Sequence, residues 1–214
     1  MPGNVPVHPP AKPPRRSGAR VSRITPESLM TLEAYAKARK EFRARVIAHK
    51  KARTVHLGEH LTLQFEDELT MRYQIQEMLR IERIFEEEGI RGEIEAYGPL
   101  VPDGANLKAT MMIEYEDVDE RKRALARLKG IEVRVWIRVD GFQKVLAIAD
   151  EDLERETEEK TSSVHFLRFE LTDEMARALK QGAGLAIGVD HPEYRAEVAT
   201  VPPAIRSSLT GDLA

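Results

Sequence analysis

Three pairs of alternating apolar runs, each joined by a turn of a few residues, constrain this chain more than any other feature. In residues 53–65, Val55 and Leu57 precede a turn at 58–60, and Leu61, Leu63 and Phe65 follow it. If Leu57 faces Leu61, then Val55 faces Leu63, all four share one side, and His56 and Thr62 point the other way. In a second pair, Val133, Val135, Ile137 and Val139 form one face and Asp140-Gly141 offers a two-residue turn. Phe142, Lys144, Leu146 and Ile148 return, which pairs Val139 with Phe142 and Val135 with Leu146. The third pair, 185–189 and 194–201, flanks Asp190-His191-Pro192-Glu193. Strands joined this tightly are antiparallel. Single strands at 107–116 and 163–171 complete the set, with no regular strand–helix–strand alternation. The pattern predicts an α+β fold with a mostly antiparallel sheet, packed by two long amphipathic helices, and argues against a doubly wound one.

The first of those helices should begin at Thr25-Pro26-Glu27, with threonine as N-cap and proline at the first helical position. Leu32, Tyr35, Phe42 and Val46 follow at helical spacing, and Lys50 and Lys51 suit the negative end of its dipole. The second should run from Glu68 to about Glu88, with Asp67 or a neighbour as cap and Gly89 as the glycine just past its end. Met71, Ile75, Met78 and Phe85, widened by Leu79 and Ile81, make its apolar stripe. Asp117 and Thr172 cap two shorter helices, ending before Gly130 and near Gly182.

Charge divides the 214 residues unevenly. The whole carries −3, but residues 1–23 hold five of the 33 basic residues and no acid, so the remainder is −8. Six of the twelve prolines lie in the first fourteen residues. Such a segment cannot bury enough apolar surface to offset its ordering entropy, so residues 1–23 are expected to be a disordered basic leader. It reads as a solubilising extension, or as an electrostatic dock for an acidic partner. Residues 150–160, with seven acids and two bases, read as a solvated helix or linker. One domain is expected over 24–205, with 206–214 a loose tail.

Composition narrows the chemistry. The chain has no cysteine, which excludes disulfides, thiolate nucleophiles and cysteine-ligated clusters. No run approaches the roughly 18–20 apolar residues of a membrane span. Near-neutral charge and 6% aromatics argue against nucleic acid as a partner. No HExxH, GxSxG, P-loop or dinucleotide fingerprint occurs, and no Glu-x-x-His pair suits a di-iron site.

The second long helix carries the most information. Tyr73, Gln76, Arg80 and Arg83 recur at i, i+3, i+7 and i+10, flanked by Gln74 and Glu77. Such an inventory offers many directed hydrogen bonds. One reading is a solvated face with pairs such as Glu77 to Arg80. The other is a polar groove for an anion, a peptide or a partner helix. His165 lies on an apolar strand face, where a histidine is a satisfied buried group or a ligand. His191 and Tyr194 belong to the last hairpin, where Asp190 and Pro192 supply turn chemistry.

The string Arg72-Tyr73-Gln74-Ile75-Gln76-Glu77-Met78-Leu79-Arg80, followed by Glu82-Arg83, resembles the signature of a bacterial domain-of-unknown-function family. The resemblance extends to Tyr97-Gly98-Pro99-Leu100, Ala109-Thr110, Val164-His165-Phe166 and Asp190-His191-Pro192, and spans about 24–201. Gly98 stands where the family's turn carries asparagine, which weakens any side-chain role there. Members are often encoded beside a rubrerythrin and an iron–sulfur oxidoreductase of the heterodisulfide-reductase type. The resemblance therefore implies a cytoplasmic protein in a redox or oxidative-stress setting, with a partner that bears the metal centres. It carries no reaction.

Two functions follow as expectations. The first is a non-catalytic accessory protein that docks onto a redox enzyme through the polar helix face, without a cofactor of its own. The second is a metal-binding or acid–base enzyme in which the fold gathers His165, His191 and a carboxylate such as Glu77 or Glu82. Convergence of Tyr73, Gln76, Arg80, His165 and His191 in one pocket would favour a ligand site; scatter would favour an interaction surface.

Overall fold

A computed structural model describes residues 24–149 and 160–214. The 1–23 leader and nearly all of the 150–160 segment lie outside the described residues. After a 3-10 turn at Pro26–Ser28 come α1 (Leu32–Lys51), β1 (Thr54–Leu57), β2 (Leu61–Glu66), α2 (Glu68–Glu82) and α3 (Glu87–Tyr97). Then follow β3 (Asn106–Ile113), α4 (Val118–Arg127), β4 (Val135–Val139), β5 (Val145–Leu146), β6 (Ile148–Ala149) and β7 (Val164–Glu170). The chain closes with α5 (Asp173–Lys180), β8 (Leu185–His191), β9 (Tyr194–Val198) and α6 (Pro203–Thr210).

The class is α+β, with two sheets in place of one. One runs β1-β2-β3-β7-β6 and the other β5-β4-β8-β9, and every pair within them is antiparallel. The first hairpin has the register its alternation demands: Val55 faces Leu63, His56 faces Thr62 and Leu57 faces Leu61. Alternate residues of both sheets enter a single core. Leu63, Phe65, Met111 and Phe169 come from the first, and Val135, Ile137, Ile187 and Val189 from the second. Each such side chain contributes roughly 1.5–3 kcal/mol on burial, so this core is the main source of stability. The long helices keep smaller cores of their own. Tyr35, Phe42 and Val46 of α1 meet Leu69 and Tyr73 of α2. Met71, Ile75 and Leu79 meet Ile84, Ile90 and Ile94.

Five local expectations are corrected. Thr25-Pro26 opens only a 3-10 turn, closed by a reciprocal Thr25–Ser28 box. Leu29 then runs extended, and α1 starts at a second cap, Thr31, whose side chain accepts from Ala34 N at 3.2 Å. The second helix stops at Glu82, six residues early. Arg83 takes the left-handed conformation (φ 57°, ψ 41°), and Ile84 N donates to Leu79 O. This turn carries Ile84 inward to the Met71–Ile75–Leu79 cluster, and that burial offsets the 1–2 kcal/mol of a non-glycine left-handed residue. The chain re-enters a helix that the sequence reading missed, α3, with Gly89 inside it. Phe85 consequently leaves the apolar stripe: it is 73% exposed, and Ile81 is 60% exposed.

The 133–148 hairpin is shifted by one residue: Leu146 faces Trp136, and Val145 faces Ile137. Val135, Ile137 and Val139 keep the core face expected of them, and the Asp140-Gly141 turn forms, with Phe142 N donating to Val139 O at 3.0 Å; the return strand rejoins β4 only at Val145, one residue out of step, while β8 pairs with β4 at five positions. The return strand serves only as an edge, then crosses at Ala147 to join the other sheet as β6. Val133 lies in a 3-10 turn ahead of β4. Finally, residues 206–214 are not a loose tail. They finish α6 and bury Leu209 and Leu213, and Ala214 N donates to Gly104 O at 2.8 Å.

Candidate functional site

Asp67 starts α2 by accepting from Thr70 N at 2.9 Å, while Thr70 Oγ1 accepts from Asp67 N. From that cap the 3.6-residue period turns Met71, Ile75 and Leu79 to one side and Tyr73, Glu77 and Arg80 towards α1. The helix α1 lies antiparallel to it. His49 meets Asp67, Phe42 packs on Tyr73 with ring centroids 6.0 Å apart, and Tyr35 meets Glu77.

Glu77 is the centre of the polar face. Its carboxylate accepts from Tyr35 Oη at 2.6 Å, from Arg39 Nε and Nη2 at 2.8 Å each, and from Arg80 Nη2 at 3.3 Å. The Arg39 fork is bidentate, the strongest geometry open to such a pair. These donors, Arg39 first, hold the Glu77 carboxyl down at about 2 against the opposing effect of burial. Burial, and then the bond to Glu77, raise the Tyr35 phenol above its ordinary value. One carboxylate serves two guanidiniums, so the cluster carries a net positive charge. Arg80 is 38% exposed, and its Nε is buried with no hydrogen-bond partner among the described residues. The exposure therefore lies in the rest of the side chain, not at Nε.

The other residues singled out have different duties. Gln76 is buried and grips the backbone of Met30, its Oε1 accepting from N at 2.7 Å and its Nε2 donating to O at 3.3 Å. Gln74 is half-buried, and Arg83 is the exposed cap of α2. His165 is fully buried, its Nε2 2.9 Å from Thr161 Oγ1 and 3.1 Å from Ser162 O. His191 Nε2 donates to Lys129 O at 3.0 Å, and its Nδ1 accepts from Glu193 N at 3.2 Å, so backbone groups occupy both ring nitrogens. Tyr194 Oη donates to Leu57 O at 2.6 Å and accepts from His60 N at 3.1 Å, pinning the last hairpin to the first.

Tyr73, Glu77 and Arg80 thus share one face with α1, while His165, His191 and Tyr194 serve elsewhere. Among the described residues no three histidine or carboxylate side chains gather as a metal site would require. A groove of about 700 Å³ lies along α3, lined by Glu87, Glu88, Arg91, Gly92 and Glu95, none of them expected from the sequence.

Three contributors escaped the sequence reading. Tyr35 and Arg39 complete the Glu77 cluster from α1, where they fall in step with Phe42 and Val46. Arg53, 1% exposed, organises a second cluster. It donates to Phe65 O, Glu66 O, Ser208 O and Asp212, and its Nε lies 3.6 Å from Asp67, which also bonds His49 at 2.5 Å. The available signal was phase, because Arg53 alternates with Val55 and Leu57 on the apolar side of its strand.

These features define an α+β protein with two antiparallel sheets around one core and a helical layer that presents an arginine-rich edge. The profile described as "Protein of unknown function (DUF3501)" matches residues 23–213, and the chain belongs to that family. It is similar to a protein of unknown function from Burkholderia pseudomallei K96243 whose crystal structure is solved. The two share 62% identity at a TM-score of 0.85, over 89% of this chain and 99% of that one. No curated protein matches. Among the described residues no helix is long and apolar enough to cross a membrane.

Proposed function

We propose that the protein is a non-catalytic accessory protein that binds a redox partner, a rubrerythrin or an iron–sulfur oxidoreductase, through the α1–α2 edge at Arg39, Glu77 and Arg80. The observation that carries this reading is Arg80: its side chain is 38% exposed, and it shares the one Glu77 carboxylate with the bidentate Arg39, which leaves a spare positive charge at this edge. A carboxylate or other anionic group on a partner would meet the exposed part of that guanidinium and the spare positive charge together. Charge at such an edge governs association rate and specificity, so binding should weaken with salt. Cytoplasmic location and the redox setting rest on the family resemblance.

The test is biolayer interferometry of the purified chain against a purified rubrerythrin and a purified iron–sulfur oxidoreductase of the heterodisulfide-reductase type. Binding should be lost in Arg80→Ala, with the unfolding temperature unchanged within a few degrees. No binding of either protein at about 100 µM would defeat the proposal. A variant that loses its fold would show Arg80 to be structural instead.

A further inference from the structure

We infer that the groove along α3 is the docking surface for this chain's own basic leader, residues 1–23. The described fold begins beside that groove. Ile24, buried, belongs to the apolar cluster of Met71, Ile75 and Leu79, against which Ile90 and Ile94 of α3 pack. Three residues on, Glu27 and Arg91 lie close enough to feel each other's charge. Arg91 lines the groove, so the leader joins the fold at the groove's side.

Charge selects the leader as occupant. Residues 82–95 hold six glutamates and two arginines, a balance of −4, whereas the leader carries +5 and no acid. In the groove Glu87 is engaged with Arg91, and neither Glu88 nor Glu95 has an ion-pair partner among the described residues. Glu88, Gly92 and Glu95 fall at i, i+4 and i+7, so they form one stripe along the helix. The two glutamates are about 10 Å apart along its axis. Arg20 and Arg23 are about 9–10 Å apart in an extended chain, which matches that spacing. A Cβ added at Gly92, between the glutamates, would meet nothing within 4 Å, so the floor there is open to an approaching chain. The contacts assigned are Arg20 and Arg23 on Glu88 and Glu95. Exposed pairs of this kind are individually weak. A short tether compensates, because it presents the leader at an effective concentration near the millimolar range, which favours the chain's own groove over that of a second copy. The contact does not use the Glu77 cluster and stands whether or not a redox partner binds there.

The full chain has no cysteine, so Ser17→Cys supplies a single site for a nitroxide spin label. The test is paramagnetic broadening of the backbone amide signals at about 0.05 M and about 0.5 M salt. At the lower salt the amides of Glu88, Gly92 and Glu95 should lose intensity, and most of it should return at the higher. Glu88→Lys with Glu95→Lys keeps the tether but should lose the broadening, which separates docking from mere nearness of the leader. Arg20→Glu with Arg23→Glu should lose it too, and the four changes together should restore it. Glu88 and Glu95 are exposed, so their double variant should keep the parent's unfolding temperature within a few degrees. Broadening that spares α3, that ignores salt and charge reversal, or that the fourfold variant does not recover overturns the inference. So does broadening that arises only when a spin-labelled copy is mixed with an isotope-labelled one, since the occupant would then be a second chain.

Discussion

Replacing Asp212 with asparagine should leave the protein at least as stable near neutral pH, although it deletes one partner of a buried ion pair. Arg53 is a single cation facing two carboxylates, Asp212 and Asp67, with His49 beside them. Burial is the largest influence on Asp212. With the neighbouring Asp67 charge it outweighs the attraction of Arg53 and lifts the carboxyl to about 6 from an ordinary 3.8. The folded state therefore disfavours the ionised form. No cost exists below about pH 4; it grows between 4 and 6 and is complete above 6. Two units correspond to about 3 kcal/mol. Asparagine removes that cost while its amide oxygen still accepts from Arg53. In urea unfolding followed by the lone, buried Trp136, Asp212→Asn should match or exceed the parent by up to about 3 kcal/mol near pH 7.5. The advantage should vanish near pH 4. Arg53→Met, which strands two buried carboxylates, should cost about 3–5 kcal/mol at the higher pH. An asparagine variant that loses as much as the methionine one would show that attraction, not burial, rules the pair.

Two further substitutions probe polar groups that the fold has consumed. Gln76→Ala should cost about 1–3 kcal/mol in chemical denaturation and raise amide exchange at Met30, because it frees both backbone groups that the amide holds. Tyr194→Phe should cost a similar amount, since Leu57 O and His60 N lose their shared hydroxyl; a change under about 0.3 kcal/mol would refute that bridge.

Much of the fold was legible wherever a short-range rule acted alone. The β1–β2 register followed from four apolar residues, and the caps at Asp67, Asp117 and Thr172 stand where expected. Rules failed where a distant element decided. Gln76 of α2 holds the Met30 backbone next to an extended Leu29, against a good local helix start. The Asp140-Gly141 turn does form, yet the return strand pairs one residue out of the register a two-residue loop would set. The α2–α3 break was hidden because arginine at φ 57° carries no glycine flag. The candidate site was half legible. Period placed Tyr73, Gln76, Arg80 and Arg83 on one face with Glu77 beside it; Tyr73 and Arg80 do share a face, but Glu77 is its centre and Arg83 is the cap of α2. Period could not report that Gln76 is spent on backbone, nor that α1 would deliver Tyr35 and Arg39.

The five residues 145–149 have a consequence beyond pairing. They supply the outer strand of one sheet and, two residues later, the outer strand of the other. A natural route for two stacked sheets to slip past each other is thereby closed, because one short length of chain is stitched into both margins. Either sheet can peel outward at this margin only by drawing on its neighbour. Opening one sheet at this margin therefore pulls on the edge of the other.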